Sequence, residues 1–218
     1  MILFLLFLNL FSWLPSQGPS SGTIRSGGWT LHPDREEFWD QVSFQNNAAQ
    51  VTAERAVIYK KPEIWQAVGT VRFDFKDPKG MRFKGLAQEA RYDKPQEELS
   101  AQGDLLDLEI LSTTSSPPLK ARAERGTWKL DSRNLYLRGR VNLRQAPWES
   151  FSKKAHWDAT SQKLKLEEGP PLLRIQSPKY EAIFQGDAVF AEGEKKFLIQ
   201  GKAGAWIHPK KTAKNPWN

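Results

Sequence analysis

Residues 123–143 read AERGTWKLDSRNLYLRGRVNL, and this stretch decides the fold. Around its second glycine, apolar residues fall at even offsets, at Leu135, Leu137, Val141 and Leu143. A period of two is typical of a strand with one buried face, whereas a helix requires a period of 3.6. The segment before it, Asp131-Ser132-Arg133-Asn134, has turn composition. The stretch therefore predicts a hairpin whose second strand passes through Gly139.

The same plan occurs five times along the chain. A small residue is followed two positions later by a large apolar one, in the pairs Ala56/Ile58, Ala90/Tyr92, Gly126/Trp128, Ala155/Trp157 and Ala188/Phe190. Each pair is followed by a turn and then by a glycine, at Gly69, Gly103, Gly139, Gly169 and Gly201. Because a glycine within a strand usually marks a bulge or a bend, this recurrence predicts strands that bend at one level. We expect an all-β fold, a bent antiparallel β-jellyroll of stacked hairpins with apolar inner faces.

One repeat departs from the plan. Gly169 is followed by Pro170-Pro171, and two prolines would interrupt a regular hydrogen-bond ladder. We therefore expect an irregular region in the later repeats.

The N-terminus has a different composition from the rest. Twelve of the first fourteen residues, MILFLLFLNLFSWL, are apolar, and as a helix they would span about 21 Å, less than the roughly 30 Å core of a bilayer. We interpret residues 1–15 as a helical transmembrane anchor or signal segment and residues 16–28 as a flexible linker. Residues 29–208 are then the jellyroll domain, and residues 209–218 are a basic tail. No basic residue precedes the apolar run and no A-x-A site follows it, so cleavage is left open.

Composition excludes several classes of site. The chain has 218 residues, a net charge of +7 and no cysteine, which excludes disulfides, iron–sulfur clusters and thiol nucleophiles. Its three histidines are far apart, and G-x-S-x-G, P-loop and G-x-G-x-x-G motifs are missing. We expect no catalytic residues, no metal and no cofactor. Nucleic acid is disfavoured as a partner because the aromatic side chains fall on the row that should be buried.

The repeat resembles that of a known family. The segments AERAVIYKKPEIWQAVGTVRF at 53–73, AQEARYDKPQEELSAQGDL at 87–105 and the stretch at 123–143 carry the likeness. They are similar to the lipopolysaccharide-transport periplasmic β-jellyroll proteins, the OstA-like group with LptA and LptC among its members. The resemblance covers roughly residues 51–207. It implies a periplasmic protein that binds lipopolysaccharide acyl chains between two sheet walls and docks other jellyroll proteins by edge strands.

The resemblance also implies a pathway. Lipopolysaccharide would come from an inner-membrane ATP-driven ABC exporter and be passed on by this chain. The apolar N-terminus favours the LptC-like member, anchored in the inner membrane. The alternatives are the soluble LptA-like bridge protein and, in a different class, a structural β-repeat protein with a closed core and no lipid.

Candidate contacts follow from the apolar rows. The groove candidates are Ile58, Val71, Phe73, Phe75, Tyr92, Leu105, Trp128, Leu137, Val141, Leu143, Trp157, Phe190 and Ile199. These side chains either line an open groove or pack a closed core, and sequence does not separate the two. Arg138, Arg140 and Arg144 alternate with the apolar row and should form an outward stripe. They are candidates for contact with anionic headgroups, although a solvated sheet face also explains them.

Overall fold

The structure is a computed structural model that describes residues 22–77, 80–111, 117–192 and 196–210. These residues form one sheet of sixteen strands in which every pair is antiparallel. The strands are β1 (Thr23–Arg25), β2 (Gly28–Leu31), β3 (Arg35–Gln45), β4 (Ala49–Lys60), β5 (Glu63–Lys76), β6 (Arg82–Asp93), β7 (Glu98–Leu111), β8 (Leu119–Lys129), β9 (Asn134–Gln145), β10 (Trp148–Asp158), β11 (Lys163–Glu167), β12 (Leu172–Gln176), β13 (Tyr180–Gln185), β14 (Ala188–Glu192), β15 (Lys196–Gln200) and β16 (Gly204–Pro209). The all-β antiparallel prediction is confirmed.

The predicted N-terminal helix, residues 1–15, lies outside the described residues. Within the described ranges, no helix is long and apolar enough to cross a membrane. The basic tail predicted from residue 209 lies almost wholly outside them as well, since the described part ends at Lys210.

The sheet folds into two walls. Strand β10 pairs with β11 through Lys154–Asp158 and with β12 through Trp148–Phe151, so its two halves belong to different walls. Wall one contains β2, β11, β14, β15 and the adjoining halves of β3 to β10. Wall two contains β1, β12, β13, β16 and the other halves. The chain crosses between walls at the Pro170-Pro171 segment, where β11 ends and β12 begins, so this predicted irregularity is confirmed.

Each long strand changes its register where it passes between the walls. In β9 the bend falls at Gly139, whose φ of 73° is in the left-handed region that favours glycine, and Arg140 follows at 41°. A Cβ at Gly139 would overlap the carboxylate of Glu124 on β8. That carboxylate accepts a hydrogen bond from Arg140 Nε at 2.6 Å. An acidic side chain on one strand thus packs over the glycine of the next.

The same device is present two hairpins earlier. Gly69 has a φ of 100°, and Glu54 on β4 accepts a hydrogen bond from the backbone N–H of Thr70 at 3.2 Å. The bulge leaves backbone donors without a ladder partner, and the neighbouring carboxylate satisfies one of them. The predicted bend is therefore confirmed at the glycines within the long strands, and the acidic partner is an addition to it, whereas Gly169 and Gly201 lie just beyond the ends of β11 and β15.

The bend also changes which residues face inward. In β7, Ala101 is buried, but after the bend the buried positions are Leu106, Leu108 and Ile110. Leu105 is 54% exposed, so its assignment to the inner row is wrong. The buried Leu106 lies five positions, an odd number, after the buried Ala101. The side chains beyond the bulge between Gln102 and Leu106 therefore lie on the face opposite to the one that the alternation before it predicts.

The fifth repeat shows a second displacement of this kind. Val189 and Ala191 are the buried residues of β14, and Phe190 lies on the outer face, with Lys165 Nζ 5.6 Å from its ring centre. The predicted inward position of Phe190 is therefore wrong by one residue. Its repeat is the one in which β13 and β14 are separate strands on different walls.

The sheet begins earlier than the predicted boundary at Trp29. Strand β1 pairs with β3 from Thr23, and β2 pairs with it from Gly28. The end of the predicted linker 16–28 is therefore part of the sheet.

Candidate functional site

An apolar cavity of about 100 Å³ lies between the walls in the N-terminal half of the sheet. Strands β3 to β7 supply most of its lining, and most lining side chains are aliphatic or aromatic. They are Ile24, Phe38, Val42, Phe44, Ala48, Ala49, Val51, Ala53, Ala56, Ile58, Trp65, Ala67, Phe73, Phe75, Ala90, Tyr92, Leu99 and Leu130, with Asn46, Gln66, Lys76, Asp77 and Arg91 as the polar members.

Small side chains in register create the cavity floor. Ala56, Ala67 and Ala90 lie directly opposite one another on three adjacent strands. In a sheet, residues opposite each other share one face at Cβ distances of about 5 Å. Three methyl groups in a row leave the space above them empty where larger side chains would fill it.

The cavity ends where this row changes. It continues through Ala101 to Gly126 and then reaches Leu137. A Cβ at Gly126 would lie 2.8 Å from Leu106 Cδ2 and 3.2 Å from Leu137 Cδ2. The two leucines therefore occupy the volume above Gly126, and the inner face is closed from there toward the C-terminus.

Aromatic contacts connect the free rims of the two walls. Phe44 of wall two contacts Trp65 of wall one with ring centres 5.8 Å apart. Phe83 contacts Trp128 in the same way at 4.4 Å, and Trp148 contacts Phe197 at 6.3 Å. The cavity lies between the first and second of these contacts.

The thirteen groove candidates divide into three groups. Four line the cavity: Ile58, Phe73, Phe75 and Tyr92. Seven pack in or against the closed core: Val71, Trp128, Leu137, Val141, Leu143, Trp157 and Ile199. Two lie on the outer face, Leu105 and Phe190, as described above. The sequence left open whether these side chains line a groove or pack a closed core. The structure has both, a cavity in the N-terminal half and a closed core in the other half.

Several lining residues are missing from the sequence-based set. Phe38, Val42 and Phe44 come from β3, which has neither the small–x–large pair nor the glycine of the repeats. Their even spacing was the only available signal. Trp65 and Leu99 precede Gly69 and Gly103 by four residues, the spacing of Leu135 from Gly139, but they are not among the predicted contacts.

The cavity has a neutral phenol on one side. Burial, together with the nearby carboxylates of Glu97, Glu63 and Asp93, raises the pKa of Tyr92 to about 12. Both causes disfavour the charged phenolate. The hydroxyl therefore stays protonated near neutral pH, and this part of the lining suits an apolar ligand.

The three headgroup candidates lie on the other side of the sheet. Arg138, Arg140 and Arg144 are exposed on the outer face of β9, opposite the inward Leu137, Val141 and Leu143. Arg140 also donates to the backbone oxygen of Asp104 at 3.1 Å, so it stabilises the bend. The outward orientation predicted for the stripe is confirmed, and the stripe is separated from the cavity by the sheet.

Metal-ligating side chains do not converge in the described ranges: no group of three or more His, Asp or Glu could hold an ion there. His156 stacks on Tyr136 with ring centres 4.5 Å apart. Its Nε2 lies 2.8 Å from Asn134 Oδ1. This histidine has a packing role on the outer face of wall one.

Comparisons with known proteins gave matches among solved structures only. No protein-family model matches the chain, and no curated protein matches it significantly. Among solved structures, the chain is similar to LptH from Pseudomonas aeruginosa, described as the LptA-homologous periplasmic component of the lipopolysaccharide transport device. The match covers 87% of this chain and 96% of that chain, with 10% identity and a TM-score of 0.38. The cavity, and not this likeness, is therefore the observation that bears on function.

Proposed function

We propose that this protein binds the acyl chains of a lipid between its two walls and passes the lipid on. The observation that carries the proposal is the apolar cavity above the row of Ala56, Ala67 and Ala90. Natural cores are packed with few voids larger than a water molecule. A row of small side chains that keeps such a space open under aromatic walls is suited to a linear hydrocarbon.

The free energy of burying an acyl chain is compatible with binding and release of a lipid. Each methylene transferred from water to an apolar site contributes about 0.8 kcal/mol, so a few methylenes give useful affinity. The cavity of about 100 Å³ holds only part of a long chain. Further chain requires the rims to separate, and the rims meet through side-chain contacts such as Phe44–Trp65 and Phe83–Trp128.

The proposal extends to the identity of the lipid and to the location. The repeat pattern resembles the lipopolysaccharide-transport jellyrolls, so we propose lipopolysaccharide as the lipid and the periplasm as the compartment. In this proposal the chain is a carrier without catalytic residues or cofactor. Residues 1–15 anchor it in the inner membrane, as in LptC, beside the ABC exporter that supplies the lipid. In the alternative within the same class, it is a soluble LptA-like bridge.

Edge strands provide the proposed docking sites for other jellyroll proteins. Among the described residues, β15 and β16 each pair with a strand on one side only. Leu198 on β15 is 55% exposed and Ile207 on β16 is 66% exposed. Unpaired edges with apolar side chains are suited to strand addition by a partner.

A second candidate is a structural β-repeat protein without a lipid. The closed half favours it, since Leu166, Leu173 and Val189 are each 1% exposed. A core of this kind stabilises a sheet without any ligand.

Photo-crosslinking in cells separates the two candidates. A photoreactive residue at Phe73, which lines the cavity, should capture lipopolysaccharide. A photoreactive residue in place of Arg72, the adjacent position on the outer face, is the matched control and should capture no lipopolysaccharide. Equal capture at both positions, or none at Phe73 in folded protein, would refute lipid binding in the cavity and favour the structural candidate.

A further inference from the structure

A buried ion pair joins the two walls next to the cavity. Arg133 donates to Asp77 Oδ2 from Nε at 3.0 Å and from Nη2 at 2.7 Å. The side chains are 15% and 5% exposed. By contrast, the ion pair between Arg82 and Asp74 has side chains that are 50% and 28% exposed. The buried pair is therefore the better placed of the two to hold a fixed geometry.

The two partners come from opposite rims. Asp77 follows the wall-two half of β5, and Arg133 precedes the wall-one half of β9. Within each wall, neighbouring strands are joined by their own backbone ladders, which do not cross the opening. This ion pair therefore links the rims directly, close to the Phe83–Trp128 contact that also crosses the opening.

The link lies where the cavity ends. Asp77 and Leu130 belong to the cavity lining. Phe83 and Trp128, in contact with each other, belong to the closed core. The ion pair thus stands at the boundary between the open and the closed part of the inner face.

Buried polar atoms lie beyond this boundary. Among the described residues, Trp128 Nε1, Trp148 Nε1 and Ser150 Oγ are buried there without a hydrogen-bond partner, as is Asn46 Nδ2 within the cavity lining. A buried donor left unsatisfied is unfavourable, and it can be satisfied by an acceptor that enters with a ligand. The ester and amide carbonyl groups of an acylated lipid are acceptors of this kind.

We infer that the Asp77–Arg133 pair is a latch that holds the rims together and confines an acyl chain to the N-terminal cavity. Its release extends the accessible inner face past Trp128 toward Ser150, where carbonyl groups of an acylated lipid accept from the buried donors. The latch thereby sets how much of a lipid the protein encloses. For the nature of the ligand, this inference rests on the proposed function. The ion pair that links the walls is independent of that function.

The two oxygens of Asp77 allow a selective variant. Oδ1 accepts a hydrogen bond from the backbone N–H of Met81 at 2.7 Å, and Oδ2 faces Arg133. Asp77→Asn retains the acceptor for Met81 and removes the charge. Asp74→Asn is the matched control, because it removes the charge from an ion pair within the same hairpin that stays inside wall two. Urea unfolding checks that both variants fold.

The first readout is binding of fluorescent fatty acids of increasing chain length. We expect Asp77→Asn to bind the longer chains about tenfold faster or more, since the charged hydrogen bonds of the latch no longer oppose opening. Asp74→Asn should match the unmodified protein. Equal rates and equal chain-length dependence in Asp77→Asn and Asp74→Asn would overturn the latch.

The second readout measures the walls without any lipid. Because the chain has no cysteine, spin labels can be placed at Lys76→Cys and Asp131→Cys, one on each rim. The latch predicts a narrow distance distribution that becomes longer and broader in Asp77→Asn but not in Asp74→Asn. An unchanged distribution would overturn the latch even if acyl chains bind. A broadened one with no acyl binding in any variant would support the latch and refute the proposed function.

Discussion

At the scale of single residues, the bend depends on glycine and on the acidic side chain packed over it. Gly139 needs a left-handed backbone and has Glu124 where a side chain would be. Gly103 occupies the equivalent place in β7 but is outside the positive-φ region, and its added Cβ would lie 3.0 Å from the backbone nitrogen of Gln88. At Gly139 a side chain is therefore disfavoured by the backbone conformation as well as by Glu124, whereas at Gly103 it is disfavoured only by the lack of space.

This difference predicts unequal stability losses. Gly139→Ala should lower the free energy of unfolding by about 1–3 kcal/mol, because alanine is strained in the left-handed region and displaces the Glu124 carboxylate from Arg140. Gly103→Ala should cost less, since alanine is otherwise favoured over glycine within a strand. Urea unfolding of both variants measures the losses, and equal losses would contradict this account of the bend.

The inward or outward orientation of a residue could be predicted from the sequence where the alternation along its own strand was sufficient. Around Gly139 the alternation of faces continues unchanged through the bend, so Leu135, Leu137, Val141 and Leu143 all face inward as it predicts. Leu105 and Phe190 failed for different reasons: Phe190 because β14 is a separate strand whose buried residues are Val189 and Ala191, and Leu105 because of the bulge in β7. A bulge of odd length reverses the faces beyond it, and the number of residues in a bulge depends on the neighbouring strand, which a single-strand pattern does not contain.

At the scale of strands, one inner row shows why the two halves differ. Ala56, Ala67 and Ala90 are followed along the row by Ala101, Gly126, Leu137, Ala155 and Leu166. The first part contains only small residues, and the second alternates small with large. Alternation lets side chains of facing walls interdigitate, whereas a run of alanines leaves a space.

Two alanines of this row give a matched test. Ala67→Leu should fill the cavity, lower the affinity for a fluorescent fatty acid about tenfold and change the free energy of unfolding by less than about 1 kcal/mol. Ala155→Leu adds the same atoms to the closed half, where Ala155 is 5% exposed, and should destabilise by about 1–3 kcal/mol. Similar destabilisation in both variants with unchanged affinity would show that no usable space exists above Ala67.

The hairpins themselves could be predicted from the sequence, whereas the row could not. The turns at Lys60-Lys61-Pro62 and Asp93-Lys94-Pro95 join β4 to β5 and β6 to β7 as expected, because turn chemistry is local. The alignment of Ala56 with Ala67 and Ala90 required the register of three strands. That register follows from the bulges and from packing between the walls.

At the scale of the whole molecule, the walls meet through pairs that are distant in sequence. Asp77 and Arg133 are 56 positions apart, and Trp148 and Phe197 are similarly remote. Neither residue of the ion pair stands out in the sequence, since Arg133 looks like an ordinary turn residue. Such contacts arise only when two predicted hairpins are folded onto each other, so neither the cavity nor its boundary could be derived from the repeat alone.

The position of the charged residues relative to the cavity is also evident only in the whole molecule. The net charge of +7 includes Arg125 and Arg138, which face each other across adjacent strands on the outer surface. The cavity on the inner face is lined mostly by hydrocarbon and by the neutral phenol of Tyr92, with Lys76, Asp77 and Arg91 as its charged members. The arginine stripe of β9 lies on the outer face and is separated from this cavity by the thickness of one sheet.

The most direct test of the central claim is an isotope-filtered nuclear Overhauser measurement between the labelled protein and an unlabelled acyl chain. The account predicts contacts from acyl protons to the methyl groups of Ala56, Ala67 and Ala90 and to the ring of Phe73. It predicts none to Leu86 and Phe151, which are exposed on the outer face. Contacts confined to the outer face, or binding without contacts to the alanine row, would contradict it.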